Sequence, residues 1–162
     1  MKYIRKKKPS REKVTILVDD REKQGWKWLK EEYAIESKRL KVGDYSIKGF
    51  EDRIAIEKKS GLMELFNNLA RADRSRFDRF LARISKYEYK VIVVCEELSE
   101  RNINYNLAIL RKKSPTKMTA ETIYFWVAKI TMYYGIPIIF TGKRSIRGVV
   151  TNLIETVKRE VR

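Results

Sequence analysis

Histidine is absent from this chain of 162 residues, and cysteine occurs once, as Cys95. The first absence removes the most frequent general base and the commonest zinc ligand. Together they exclude a structural zinc site, and with it Ser-His-Asp and Cys-His catalysis. A lone cysteine makes no disulfide within the chain, which points to a reducing compartment. No apolar run is long enough to span a membrane. The opening MKYIRKKKPSREK lacks the apolar centre of a signal peptide. An intracellular, cytoplasmic protein with no membrane partner is expected. Any enzyme chemistry must rest on carboxylates, Lys, Arg or Tyr.

Charge is what the chain has in abundance. It carries 37 Lys and Arg against 21 Asp and Glu, a formal net charge of +16. The physical default for such an excess is a polyanion, because neutralising phosphates releases condensed counterions. An acidic membrane surface, or a charge-rich composition serving thermostability and solubility, are the alternatives. Residues 1–12 read as a flexible basic arm, with Lys2, Arg5, Lys6, Lys7 and Lys8 ahead of Pro9. Residues 13–162 read as one domain with its own core, the hydrophobic share being 43 %.

VTILV (residues 14–18) is a short apolar run and reads as a buried strand. Trp26, Leu29 and Tyr33 suggest a short helix. Residues 44–48 and 53–57 read as a hairpin around Gly49, Phe50, Glu51 and Asp52. Residues 61–86 are helical in character, with one stripe of Leu62, Leu65, Phe66 and Leu69 and another of Phe77, Phe80, Leu81 and Ile84. Residues 90–95 and 136–140 read as further strands, residues 99–117 as a loop. Ile123, Trp126, Val127 and Ile130 mark a helix stopped by Gly135, and Ser145 is the expected cap of a last helix. Strands separated by helices argue for an α/β fold, a mixed central sheet of five or six strands flanked by helices.

One constellation carries chemistry. Asp44 begins one strand of the hairpin and Glu57 ends the other, which makes the two carboxylates neighbours. Lys59 lies two residues beyond Glu57, so both side chains point to one face of a continuing strand. In RIAIE, Glu57 shares its face with Ala55, opposite Ile54 and Ile56. Hydrolysis of a phosphodiester needs charge neutralised on the phosphate, an activated water and a stabilised leaving oxygen. Mg²⁺ prefers oxygen ligands, commonly one or two carboxylates plus water and phosphate. Asp-x12-Glu-x-Lys supplies such groups. In a chain with 36 % charged residues, it also reads as exposed strand-end charge.

Three stretches in order, VDDRE (18–22), GDY (43–45) and EKKS (57–60), resemble the XPF-type structure-specific endonuclease domain of the PD-(D/E)XK nuclease group. NNLARADRSRFDRFLARI, VIVVCEE and YYGIPIIFTG are similar as well, so the resemblance spans about residues 13–160. It implies a restriction-endonuclease-like nuclease core and a Mg²⁺- or Mn²⁺-dependent endodeoxyribonuclease acting on flap, fork or branched duplex DNA. It implies Asp44 and Glu57 as main metal ligands, and Lys59 as the lysine that positions or activates water. Glu22 and Asp19 would stand at the edge of the metal site, Glu22 as the stronger contributor. Arg21 would contact phosphate or hold the carboxylates. The same Asp19, Arg21 and Glu22 also read as a local salt-bridge cluster. Lys58, Arg76, Arg79, Lys112 and Lys113 are the further candidates for DNA contact.

Two positions depart from the family pattern E-R-K-x3-D. Lys58 stands where Arg is usual, and the two are not equivalent at a bidentate contact. Met63 stands at the place of the second Asp, with Glu64 one residue further. The expectation is a stand-alone nuclease domain without helix-hairpin-helix or helicase parts, resembling the single-domain versions of archaea, bacteria and viruses. Branch recognition would then come from the domain itself, a homodimer or a separate recruiting protein. The resemblance places a dimer interface on the C-terminal helices. A catalytically weak DNA-binding partner or scaffold subunit is the alternative function. Trp26 and Trp28 could stack on unpaired bases, whereas Trp126 and Cys95 read as packing residues.

Overall fold

A computed structural model describes residues 14–161. The basic arm expected over residues 1–12 lies outside the described residues. Six strands form one mixed sheet: β1 (Thr15–Val18), β2 (Ala34–Ser37), β3 (Tyr45–Ile47), β4 (Ile54–Lys59), β5 (Tyr89–Val94) and β6 (Ile138–Phe140), in the order β2-β1-β3-β4-β5-β6. β3 runs antiparallel to both β1 and β4, and the remaining pairs are parallel.

β4 is the strand on which the site depends. All six of its residues are buried. Its two-residue period sends Ile54 and Ile56 into one apolar layer and Ala55 into the other. The layer on the Ala55 side is filled by α2 (Leu62–Leu69), α3 (Arg74–Ile84), α4 (Glu100–Lys113) and α5 (Ala120–Met132). The opposite layer holds Trp26, Leu29 of α1 (Leu29–Glu32), Tyr33, and Val150 and Ile154 of α6 (Ile146–Glu160). Helices therefore cover both faces of the mixed sheet, as the parallel, buried pair β4 and β5 requires. The α2 stripe is buried as its spacing implies. In α3, Phe77, Leu81 and Ile84 are buried, and Phe80 packs partly buried against the same core.

The structure corrects three expectations. Residues 99–117, expected as a loop, are largely helix α4, capped by the Ser99 side chain accepting from the Asn102 N–H. Ile103, Leu107 and Leu110 were its apolar signal, diluted by Asn102, Asn104 and Asn106, of which Asn106 is buried and donates to Glu96. β2 was not anticipated, because three of its four residues are exposed and its edge position shows no core alternation. Ser145 takes the N-cap position of α6, but its hydroxyl is engaged with Thr141 and Gly142 and makes no side-chain cap bond.

Gly43 leads into β3 with φ +81°, and a Cβ there would lie 3.1 Å from the Ile56 carbonyl oxygen. That carbonyl accepts the Asp44 N–H at 2.9 Å. Only glycine combines this backbone angle with so close an approach to β4. Gly43→Ala is expected to destabilise the domain by about 1–3 kcal/mol, read as a lower urea midpoint at unchanged slope. An unchanged midpoint would show that the turn is not constrained in this way.

Candidate active site

The hairpin brings Asp44 against the end of β4. Its backbone is tied to Ile56, and its Oδ2 accepts the Lys58 N–H at 2.8 Å. Two residues along β4 on the Ala55 face stand Glu57 and Lys59, with Lys59 Nζ donating to Glu57 Oε1 at 2.7 Å. Both are buried, at 9 % and 6 % exposure. The Lys59 ammonium also lies 3.5 Å from Glu64 Oε1 and 5.7 Å from the ring centres of both Phe77 and Phe80. Glu64 is held in turn by the Ser60 N–H and hydroxyl, both donating to its Oε2 at 2.8 Å. Glu64, one residue after Met63, thus brings a carboxylate to Lys59 from the first turn of α2.

The charges in this corner oppose one another. Burial, and then the Glu57 charge, push the Asp44 carboxyl up to about 8. Burial also raises Glu57, although the Lys59 ammonium pulls it down. For Lys59, burial disfavours the charged form, but Glu57, Glu64 and Asp44 outweigh it and raise its pKa. Lys59 is therefore a firmly held ammonium. Glu22 contributes too, since its charge helps raise both Asp44 and Glu57.

Tyr45 explains how Glu22 is brought there. Its ring stacks on Trp26 at 4.6 Å, and its hydroxyl accepts the Trp26 N–H at 2.8 Å. A Cβ on Gly25 would meet that hydroxyl at 3.0 Å and the Glu22 side chain at 3.7 Å. GDY thus combines a backbone angle, a carboxylate and an anchor for the segment carrying Glu22.

Asp19 and Arg21 are engaged with each other in the fold. Asp19 is 3 % exposed and directs both carboxylate oxygens into the protein. Oδ1 accepts from the Arg21 N–H and Nε, and Oδ2 from an Arg21 Nη and the Leu40 N–H, at 2.7–3.0 Å. Burial opposes its ionisation, but Arg21 and the two N–H donors hold it at about 2. Arg21 reaches on to the Leu40 carbonyl, and Asp20 pairs with Arg39 at 2.6 Å. These residues clamp the loop after β1 to residues 39–40. The salt-bridge reading of this cluster describes its geometry.

Lys58 is 8 % exposed and, by the two-residue alternation of β4, lies on the face opposite Glu57 and Lys59. Arg76 and Arg79 are exposed on α3, and Lys112 and Lys113 are exposed on the last turn of α4. Trp28 is half-buried beneath the Arg147 guanidinium, 5.6 Å from its ring centre. Trp126 and the strand end bearing Cys95 pack against the two cores.

The donor set suits a hard divalent cation. Asp44 Oδ1 and Glu57 Oε2 accept no hydrogen bond among the described residues, and every candidate ligand is an oxygen. Among the described residues no three acidic or thiol side chains close on one point. Two carboxylates with Glu22 beside them are within the usual complement for Mg²⁺.

With this geometry in place, the chain is assigned to a class: residues 18–145 match the ERCC4 domain model, and the chain belongs to that family. Its fold is that of the XPF-type nuclease domain. XPF from Aeropyrum pernix superposes with a TM-score of 0.64 at 20 % identity, over 91 % of this chain and 62 % of that one. The same protein in complex with DNA gives 0.65 at 19 % identity, over 91 % and 66 %. The chain thus spans just under two thirds of the length of these solved relatives. A search of curated protein sequences finds no match.

Two stability outcomes follow. Asp19→Ala strands the Leu40 N–H and the Arg21 side chain and is expected to cost about 2–3 kcal/mol, measured by urea unfolding. A loss under about 0.5 kcal/mol, the range of ordinary surface changes, would refute the clamp. Asp44 behaves oppositely. Its pKa is raised in the fold from 3.8 to about 8, so its contribution is complete below 3.8 and lost as pH rises through 8. Asp44→Asn, which keeps the acceptor for Lys58, should melt higher than wild type at pH 8 in EDTA and not at acidic pH. An equal or lower melting temperature at pH 8 would contradict it.

Proposed function

We propose that the chain is a divalent-metal-dependent DNA endonuclease acting on flapped, forked or otherwise branched duplexes. The observation that carries this is the buried meeting of Asp44, Glu57 and Lys59 at the end of β4, with unengaged carboxylate oxygens beside a protonated lysine. Membership of the ERCC4 family and the fold shared with an XPF solved in complex with DNA support the same reading.

In this proposal Asp44 and Glu57 hold Mg²⁺ or Mn²⁺, with Glu22 contributing. The ion would neutralise the phosphate and make bound water acidic. The chain's own groups do the rest. Lys59, kept protonated by Glu57 and Glu64, orients the attacking water and donates to the phosphate oxygen on which charge grows. Phe77 and Phe80 flank the ammonium and restrict its movement. Glu64 acts as a positioning residue through Lys59. Arg76 and Arg79 on α3 offer phosphate contacts next to these rings.

Cleavage of a labelled 3′-flap or fork is expected with Mg²⁺ or Mn²⁺ and is expected to stop in EDTA. Asp44→Ala and Lys59→Ala should each slow it by about 100-fold or more. Rates equal to wild type would refute the site. Tight fork binding without metal-dependent cleavage would favour the scaffold reading.

The homodimer is also proposed. α5 exposes Tyr124, Phe125, Met132 and the adjoining Tyr133, with Met132 at 83 % and Tyr133 at 76 %. Large apolar groups grouped in this way mark a contact surface. Sedimentation at micromolar concentration should give a dimer, and Phe125→Glu with Met132→Glu a monomer. A wild-type monomer would remove the proposal.

A further inference from the structure

The charge on α3 and α4 is not spread evenly. A cavity of about 960 Å³ opens between the α2–α3 turn and the α4–α5 connection. Its rim carries Arg71, Arg74, Arg111 and Lys117, and no acidic residue lines it. Ala70, Ala72 and Pro115, with the buried Leu110 and Met118 beneath, give it an apolar lining.

The rim cations are held in place without being neutralised. The Arg74 guanidinium donates to the Leu69 carbonyl and stands 5.7 Å from the Trp126 ring centre. Arg111 donates to the Met118 carbonyl at 2.9 Å. None of the four is ion-paired with a carboxylate among the described residues. The groove therefore concentrates positive potential where the chain supplies no counter-charge.

Its shape narrows the ligand. A duplex presents phosphates on a convex surface and keeps its bases stacked inside, so it has nothing to set on a recessed apolar floor. An unpaired nucleotide has both parts, a phosphate for the guanidinium rim and a flat apolar base for the floor. Ala70, at the C-terminal end of α2, lines the groove. It lies six residues after Glu64, about 9 Å at the helical rise. The groove and the acidic corner thus lie towards opposite ends of one short helix.

We propose that this groove binds a single-stranded DNA arm. Its role as the unpaired arm of a branched substrate rests on the nuclease reading; the binding itself does not. The test is fluorescence anisotropy in EDTA with a labelled oligothymidylate and a blunt duplex of equal length. It compares wild type with Arg71→Glu/Lys117→Glu and with the milder Arg71→Ala/Lys117→Ala. These side chains are exposed, and circular dichroism melts check that both variants fold. The reversal variant should bind the single strand at least about tenfold more weakly, with a shallower salt dependence. Its duplex affinity should change by less than about threefold. The alanine variant should shift the same way by less. Unchanged single-strand affinity, or an equal loss on duplex, would overturn the proposal. Photo-cross-linking from a reactive thymidine should label residues 110–118, and labelling elsewhere alone would also overturn it. No cleavage is read, so failure here is distinct from failure of the nuclease reading.

Discussion

Two charged side chains, Glu57 and Lys59, sit in a strand whose six residues are all buried, and the site is arranged around that constraint. A buried ion pair recovers its desolvation cost only when geometry and neighbouring groups are favourable. Here the pair is 2.7 Å long, Glu64 adds a second carboxylate to the ammonium, and two phenylalanine rings flank it. Asp44 then brings further negative charge into the same corner, and its carboxyl rises to about 8. A fold that tolerates this gives up stability at one place, as sites built for function commonly do.

The remaining motif residues are the means of keeping that corner in shape. Gly43 lets the chain pass close to the Ile56 carbonyl. Tyr45 stacks on Trp26 and so directs the segment bearing Glu22. Asp19 and Arg21, which resemble site residues by position in the motif, are joined to each other and to Leu40. Three neighbouring acids thus differ in kind. Asp19 is stabilised as an anion, Asp44 is destabilised as one, and Glu22 lies where its charge reaches Asp44.

The excess of positive charge acquires a spatial meaning in the same way. The acidic corner lies at one end of α2, while Arg71 and Arg74 follow its other end. Arg76 and Arg79 continue along α3. In the proposed function such a basic surface would draw a polyanion in, and a divalent cation would offset the repulsion between the acidic centre and phosphate.

Periodicity alone determined much of this protein. The stripes of α2 and α3, the alternation of β4, and the shared face of Glu57 and Lys59 are local properties, fixed by 3.6- and two-residue repeats. The hairpin likewise made Asp44 and Glu57 neighbours. The rest needed the folded chain. Lys58 is buried, which its sequence neighbours alone do not dictate for a lysine. β2 is an exposed edge without core alternation, and the asparagines of α4 hid its stripe. Whether Asp19 would face a metal or Leu40, and whether Glu64 would reach Lys59, turned on contacts over 21 residues and across a helix start. The basic groove joins residues 70–74 to 110–122, segments that only tertiary packing brings together. Local pattern decides which face a side chain takes, and only the tertiary structure decides what meets it there.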